Sequence, residues 1–206
     1  MANIVVIGAS GTIGRAVADL LAQEHKVIRA ARSQGDITVD LSDKASLDAL
    51  FQKTGTVDAL VCAAGDSRFG KPLDQVTDED FTFSIHNKLM GQVNLVRTAL
   101  DHITDNGSIT LTSGVFATEP WPATSPTAMV NAALEGFVRA TALDLGRGIR
   151  INVISPIFVT ETAQKMGMPG EGTLSAAETA LAYKAALDSD ITGRVFDVRE
   201  YADTHR

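Results

Sequence analysis

A short apolar segment that leads directly into three evenly spaced glycines constrains the fold of this chain more than any other feature. Residues 3 to 7 read Asn-Ile-Val-Val-Ile, which favours a buried strand. The next residues include three glycines, Gly8, Gly11 and Gly14. An apolar helix face overlaps the last of them, with Ile13, Val17, Leu20 and Leu21 at helical spacing. A strand, a glycine-rich turn and a helix in this order are typical of a phosphate-binding turn.

Each glycine has a separate predicted role in that turn. Gly8 can adopt the backbone angles of a sharp turn, Gly11 lets the main chain approach a pyrophosphate, and Gly14 lets the helix pack closely on the strand. The GxxGxxG spacing differs from the GxGxxG dinucleotide fingerprint, but its place between a strand and a helix favours nucleotide binding over a simple turn. We predict cofactor contacts from Gly8, Ser10, Gly11, Thr12, Ile13 and Gly14, with Ser10 and Thr12 adding hydroxyl donors.

Composition limits the remaining possibilities. A chain of 206 residues with 45% hydrophobic residues is long enough for a substantial core, and no linker-like segment divides it, so we expect a single domain over residues 1–206. The formal net charge of −7 and the absence of a Lys/Arg cluster argue against nucleic-acid binding. The single cysteine excludes an internal disulfide, and no signal peptide or membrane span is recognisable. We expect a cytoplasmic protein with no metal site and no membrane partner.

Short apolar strands alternate with longer helical patterns along the chain. This alternation predicts an α/β fold, a doubly wound parallel sheet of six or seven strands (Rossmann fold) with helices on both faces. The predicted strands are Asn3 to Ile7, Lys26 to Ala30, Val57 to Cys62, Ser108 to Thr112, Arg150 to Ile154 and Arg194 to Val198. Such a sheet binds its ligand beyond the carboxyl ends of the strands.

Helix boundaries are predicted from capping residues. The expected N-caps are Ser42, Thr77, Ser125 and Ser175, with Asp80 and Glu178 completing capping boxes and Pro126 at a first helical position. The helix after Ser42 is expected to end at Gly55, and the helix after Thr77 near Gly107.

The end of the second predicted strand bears on cofactor choice. A fold that binds NAD usually places an acidic side chain here, which contacts the ribose 2′-hydroxyl and repels a 2′-phosphate. This segment instead ends in Arg32 and Ser33, a forked cation and a hydroxyl suited to a phosphate dianion. The sequence therefore favours NADP(H) over NAD(H), with an ordinary surface arginine as the alternative interpretation.

Several segments together resemble the short-chain dehydrogenase/reductase family along nearly the whole chain. They are Val-Asp-Leu-Ser at 39–42, Cys-Ala-Ala-Gly at 62–65, and Gly-Ile-Arg-Ile-Asn-Val-Ile-Ser-Pro at 148–156. The resemblance implies that Asp40 bonds the adenine amino group and that the loop at 63–65 backs onto the ribose. It also implies that the backbone after Pro156 meets the nicotinamide. By resemblance, cofactor contacts are expected from Asp40, Leu41, Ala63, Ala64, Gly65, Pro156, Ile157, Val159 and Thr160.

The departures from this family lie where catalysis is expected. The family's YxxxK tyrosine and lysine align with Thr127 and Asn131, neither of which can replace the proton donor and its supporting cation. The family's catalytic serine aligns with Gly114, while Ser113 is displaced by one residue. Ser113 either serves in its place or only caps the strand end, and an ordered water held by Ser113 and Thr127 is one conceivable proton source.

A lysine stands near the position of the family's catalytic asparagine, in Lys88-Leu89-Met90-Gly91. At helical spacing this residue falls at the edge of a predicted apolar arc formed by Phe81, Ile85, Leu89, Val93, Val96 and Leu100. Lys88 therefore either extends to water or points into the cleft, where partial burial would lower its pKa and allow it to polarise a carbonyl. His86 is expected at the surface.

The substrate side is less informative. Phe69 and Trp121 either line an apolar pocket or pack against the adjacent loop. Three functions remain open: an NADP(H)-dependent reductase of a small carbonyl compound with an unusual proton donor, a non-catalytic NADP(H)-binding sensor or partner protein, and an isomerase or lyase that uses bound cofactor. The family resemblance also implies a homodimer or homotetramer.

Overall fold

The structure, a computed structural model that describes residues 1–202, confirms the doubly wound α/β fold. Seven parallel strands form one sheet in the order β3-β2-β1-β4-β5-β6-β7. The strands are β1 (Asn3–Ile7), β2 (Lys26–Ala31), β3 (Ile37–Thr38), β4 (Val57–Cys62), β5 (Ile103–Thr112), β6 (Arg150–Ser155) and β7 (Val195–Asp197). The prediction omitted β3, because a strand of two residues carries no readable pattern.

Helices cover both faces of the sheet, as predicted. They are α1 (Thr12–Leu21), α2 (Lys44–Thr54), α3 (Asp78–Ser84), α4 (Gly91–Ala99), α5 (Ser125–Asp144), α6 (Thr160–Lys165), α7 (Ala176–Asp188) and α8 (Arg199–Ala202), with a π-helical turn at Ile85–Met90. One buried apolar cluster lies between the sheet and α2, α4 and α5. A second lies between the sheet and α1 and α7. Within residues 1–202, no helix is long and apolar enough to cross a membrane.

Two capping boxes form as predicted, whereas two other N-caps differ by one residue. The hydroxyls of Thr77 and Ser175 each accept from the third helical amide, and their backbone amides donate to the carboxylates of Asp80 and Glu178, respectively. Asp43, rather than Ser42, caps α2, because the Ser42 hydroxyl bonds to Asp40 instead. Thr124, rather than Ser125, stands at the N-cap of α5, which moves Pro126 to the second helical position.

The predicted end of the helix near Gly107 is wrong. The helical segment ends at Ala99, and β5 already begins at Ile103. Gly107 lies within the strand, where an added Cβ would come within 2.8 Å of the Asp58 carbonyl oxygen. The register between β4 and β5 shifts at this point. Because of this irregularity, the sequence of the first half of β5 was interpreted as a continuation of the helix.

Candidate cofactor and active site

A recess lies at the carboxyl ends of β1 and β4, where the strand order reverses. This is the position at which doubly wound sheets bind their ligands. The cavity measures about 300 Å³. Its lining includes eight of the residues predicted to contact a cofactor: Gly8, Ser10, Gly11, Arg32, Leu41, Ala63, Ala64 and Gly65. Asp66 and Asn87 also line it and were missed by the sequence analysis.

The glycine turn has the geometry that its sequence predicts. Gly8 has a φ of +83°, and an added Cβ would come within 2.7 Å of the Ala63 carbonyl oxygen. A Cβ on Gly14 would overlap the Gly8 carbonyl group, so only glycine allows α1 to pack this closely on the turn. At both Gly8 and Gly14, the backbone of the turn leaves no room for a side chain.

The N-terminus of α1 is open to an anion. Gly11, its N-cap, supplies no side-chain bond, and the first turn contains no acidic residue. By contrast, Asp43, Thr77 and Ser175 cap other helices through their side chains. The first-turn amides of α1, contributed by Thr12, Ile13 and Gly14, are therefore suited to a pyrophosphate through the backbone. This arrangement fits the phosphates of a dinucleotide.

Arg32 extends from the end of β2 at the rim of this cavity. Its side chain is 70% exposed, and its Nε lies 3.9 Å from Asp40 Oδ2. Asp40 in turn accepts bonds from the Ser42 amide and hydroxyl, which lower the pKa of the carboxyl, with a smaller contribution from Arg32. The guanidinium is thus exposed, with only a distant contact to Asp40, and is accessible to a 2′-phosphate. Ser33 is exposed and does not line the cavity.

The predicted residues after β6 lie outside this cavity. The Val115 amide donates to the Pro156 carbonyl oxygen at 2.9 Å, and Val159 is buried. Thr160 bonds to a neighbouring loop, its amide to the Leu174 carbonyl oxygen. Ile157 instead lines a second, smaller cavity beyond β5 and β6.

The π-helical turn at Ile85–Met90 changes the helix phase at the candidate catalytic end. A π turn adds a residue to the helical repeat and often occurs at functional sites. Ile85, expected on the apolar arc, is 37% exposed, whereas Ser84 and Gln92 are fully buried. The predicted arc is therefore wrong at Ile85. His86 is exposed, as expected.

Lys88, within this turn, points into the molecule rather than extending to water. Its Nζ donates to the Ser113 carbonyl oxygen at 2.8 Å. An added Cβ on Gly65 would come within 3.0 Å of Lys88 Cγ, so the aliphatic stem lies against the β4 loop that lines the cofactor cavity. Burial lowers the pKa of Lys88 to about 8, although the charge of Asp66 opposes this shift.

Ser113 contributes a carbonyl to the site, while its hydroxyl points elsewhere. The buried hydroxyl lies 3.2 Å from Glu135 Oε1 and 3.3 Å from the Ile154 carbonyl oxygen. Of the two roles that the sequence left open for Ser113, this placement does not support the catalytic hydroxyl. The strand end is held by Gln92, whose amide group donates to the Thr112 carbonyl and accepts from the Thr112 amide, both at 2.9 Å. The sequence analysis did not identify Gln92, which lies one helical turn after Lys88 and holds the end of β5.

Thr127 and Asn131 make internal contacts where the family has its tyrosine and lysine. The Thr127 hydroxyl lies 2.9 Å from both the Ser67 hydroxyl and the Arg68 carbonyl oxygen, which ties α5 to the loop after β4. Asn131 Nδ2 donates to the Gly114 carbonyl at 3.3 Å. A Cβ on Gly114 would lie 2.8 Å from that nitrogen, so a serine at position 114 would require Asn131 to move. Thr127 and Ser113 thus bond to different partners.

Comparisons with known proteins agree with this geometry. Residues 2–196 match the family described as enoyl-(acyl carrier protein) reductase. Hydroxynaphthalene reductase arp2 of Aspergillus fumigatus is 33% identical over 163 residues, which cover 73% of this chain and 59% of that protein. This chain therefore spans less than two thirds of that relative's length.

Two solved structures extend the likeness to the whole fold. The protein lin1944 from Listeria innocua is 38% identical with a TM-score of 0.91, covering 96% of this chain and all of that one. A small-chain dehydrogenase in complex with NADPH is 29% identical with a TM-score of 0.85, covering 97% of each chain. The seven-stranded parallel sheet and its helices place the chain in the Rossmann fold class. The chain belongs to the short-chain dehydrogenase/reductase family, whose members use nicotinamide cofactors.

Proposed function

We propose that this protein is an NADP(H)-dependent oxidoreductase that interconverts a small carbonyl compound and its alcohol. The family supports oxidoreductase chemistry, and a structural relative binds NADPH. The open N-terminus of α1 and the exposed guanidinium of Arg32 provide sites for a pyrophosphate and a 2′-phosphate, respectively. Cofactor contacts at the adenosine end are assigned to the glycine turn, Arg32 and the loop at residues 63–65.

Lys88 is the observation that carries the proposed chemistry. Bound NADPH supplies a hydride to a carbonyl carbon, so the carbonyl oxygen needs a proton from elsewhere. The Lys88 stem lies against the Gly65 loop that lines the cofactor cavity, and its ammonium is anchored on the Ser113 carbonyl. Its pKa of about 8 is close to the neutral range that suits a general acid. Lys88 then donates a proton to the oxygen and regains one from solvent.

Replacing this lysine tests the proposal. A panel of small aldehydes and ketones is screened for NADPH oxidation, and the Lys88→Met variant is compared on any compound that reacts. We expect kcat to fall by ~10²–10⁴-fold, as for loss of a general acid, while the Kd for NADPH stays within about threefold. Lys53→Met, which removes an exposed lysine from α2, is the matched control and keeps full activity.

A second function has its own support, because the Ser113 and Thr127 hydroxyls are both engaged in internal hydrogen bonds. A protein that binds NADP(H) without turnover would have the same cofactor cavity. This alternative predicts tight NADPH binding with no oxidation across the panel. Equal rates for the wild type and Lys88→Met would also remove the assigned role of the lysine.

We further propose that the protein forms at least a homodimer. Members of this family commonly associate through their long central helices, and α5 exposes Met129 and Leu143. Light scattering at micromolar concentration is expected to give a mass of two or more chains. A monomer under these conditions would contradict the proposal.

A further inference from the structure

A second cavity lies beyond the carboxyl ends of β5 and β6. Its volume is about 190 Å³, below the roughly 300 Å³ at which drug-sized ligand pockets begin. The lining begins at Val115, two residues after the carbonyl that anchors Lys88, and continues through Ile157 to Met168 and Pro169. The cavity therefore has room for a small molecule and lies next to the end of β5 that carries the Ser113 carbonyl.

Aromatic rings form one wall of this cavity. Trp121 and Phe158 stack with ring centroids 5.4 Å apart and an interplanar angle of 2°. Phe116 packs against both rings at 5.1 Å and 5.8 Å. Trp121 remains 49% exposed, whereas Phe116 is only 6% exposed. A wall whose rings are fixed by mutual packing favours an apolar body over a hydrated chain.

The cation that lines this cavity is already neutralised by its neighbours. Arg199 bonds to Glu119 through both terminal nitrogens, at 3.2 Å and 2.7 Å. It also bonds to Asp197 through Nε at 3.0 Å and Nη2 at 2.6 Å. These bonds engage four of the five N–H groups of a guanidinium. Arg199 therefore has little capacity left for the carboxylate of a ligand.

Apart from Arg199, the charged side chains that line the cavity are carboxylates. Bonds from Arg199 lower the pKa of Glu119, so this carboxylate stays ionised at neutral pH. Glu171 adds an exposed carboxylate on the opposite loop. Glu119 and Asp197 pair with the Arg199 guanidinium, and Glu171 lines the same cavity, so these four groups carry a net charge of −2.

We infer that this cavity selects a small carbonyl compound with a flat, apolar body and a neutral or cationic substituent, and that it rejects carboxylates. The aromatic wall fixes the body of the substrate, and the excess negative charge repels an anion. This inference rests on the proposed function, because it identifies the cavity as the substrate end of the same site.

Binding can be measured apart from turnover, because Trp121 is the only tryptophan of the chain. The probes are 4-tert-butylbenzaldehyde, its isosteric trimethylammonio cation and 4-carboxybenzaldehyde. Each is titrated into the protein saturated with NADP⁺, which carries no hydride to deliver, and Trp121 fluorescence is recorded. The cation and the neutral probe should quench Trp121 with similar Kd, and the carboxylate should bind about tenfold more weakly or not at all.

Two substitutions assign the signal and the charge effect. Trp121→Phe removes the fluorescence change and confirms its source. Glu171→Gln should reduce the ratio of the carboxylate Kd to the cation Kd by about threefold, since it removes one charge that repels the carboxylate. Asp101→Asn makes the same change of charge at an exposed position outside the cavity lining and should leave the difference unaltered.

The outcomes separate this inference from the proposed function. A carboxylate probe that binds as tightly as the other two probes overturns the inference, and so does NADPH oxidation by probes that leave Trp121 unquenched. Absence of quenching by all three probes overturns it as well. Ordered quenching without NADPH oxidation supports the ligand class and contradicts the redox function.

Discussion

The two ends of the cleft are built in different ways. At the adenosine end, the features that suit a dinucleotide are backbone features: the turn at Gly8, the uncapped amides of α1 and the close approach of Gly14. At the catalytic end, chemistry depends on side chains, and Ser113 and Thr127 direct theirs into internal bonds. The two ends therefore differ in which atoms their chemistry depends on, backbone groups at one end and side chains at the other.

The largest expected effect on cofactor binding comes from adding one methyl group at the adenosine end. Gly8→Ala places a Cβ on a residue with a φ of +83° and within 2.7 Å of a carbonyl oxygen. We expect the Kd for NADPH to rise by roughly 100-fold or more, because the turn must change shape. Gly136→Ala on α5, where an added Cβ meets nothing within 4 Å, is the control and should bind NADPH normally. Normal NADPH binding by Gly8→Ala would contradict the claim that the adenosine end depends on the backbone shape of this turn.

Arg32→Ala sharpens the same comparison by testing the one side chain assigned to cofactor choice. Loss of a charge-assisted pair with a phosphate predicts a Kd for NADPH about 10- to 100-fold higher, with the Kd for NADH unchanged. Fluorescence titration with both cofactors measures this difference. Arg97→Ala on α4 removes an exposed arginine elsewhere and should change neither value. An equal loss of affinity for NADPH and NADH would contradict the proposed contact between Arg32 and the 2′-phosphate.

Thr127→Val tests whether this residue acts as a tie between α5 and the β4 loop. Removing its hydroxyl leaves the Ser67 hydroxyl and the Arg68 carbonyl without this partner, so the free energy of unfolding should fall by about 1 kcal/mol. Thermal unfolding measures the change, with exposed Thr118→Val as the control. A large loss of kcat with unchanged stability would instead make Thr127 a participant in catalysis.

The smallest effect is expected for Ser113→Ala. The hydroxyl contacts Glu135 and a strand carbonyl, while the backbone carbonyl that anchors Lys88 is retained. Steady-state kinetics should show kcat within about threefold of the wild type, far from the ~10²–10⁴-fold loss typical of a general acid or base. A loss in that larger range would restore the catalytic hydroxyl predicted from the sequence.

The sequence predicts the sheet well because buried strands and capping residues are local signals. β1 and β4 have the predicted bounds, and both capping boxes form. The two-residue β3 and the first half of β5 lie beyond such signals, since one is too short and the other follows a register shift. These features depend on strand pairing, which has no local pattern.

The candidate catalytic end was harder to predict for a physical reason. Helical spacing of 3.6 residues extrapolates correctly only through a regular α-helix, and the π turn shifts every later position. The burial of Gln92 and the direction of Lys88 follow from that shift. The complementarity of Gly114 and Asn131 is likewise a contact between distant segments.

The pH profile of NADPH oxidation tests the central claim, that Lys88 supplies the proton at a site built on an NADP(H)-binding turn. The pKa of Lys88 lies at about 8, below its usual 10.5. Reduction requires the protonated lysine, so kcat should be level below pH 8 and fall by about tenfold per pH unit above it, whereas Lys88→Met should show no such inflection. NADPH affinity measured at each pH separates binding from chemistry. A wild-type kcat that stays constant from pH 7 to 9.5, or a variant with the same inflection, would contradict the account.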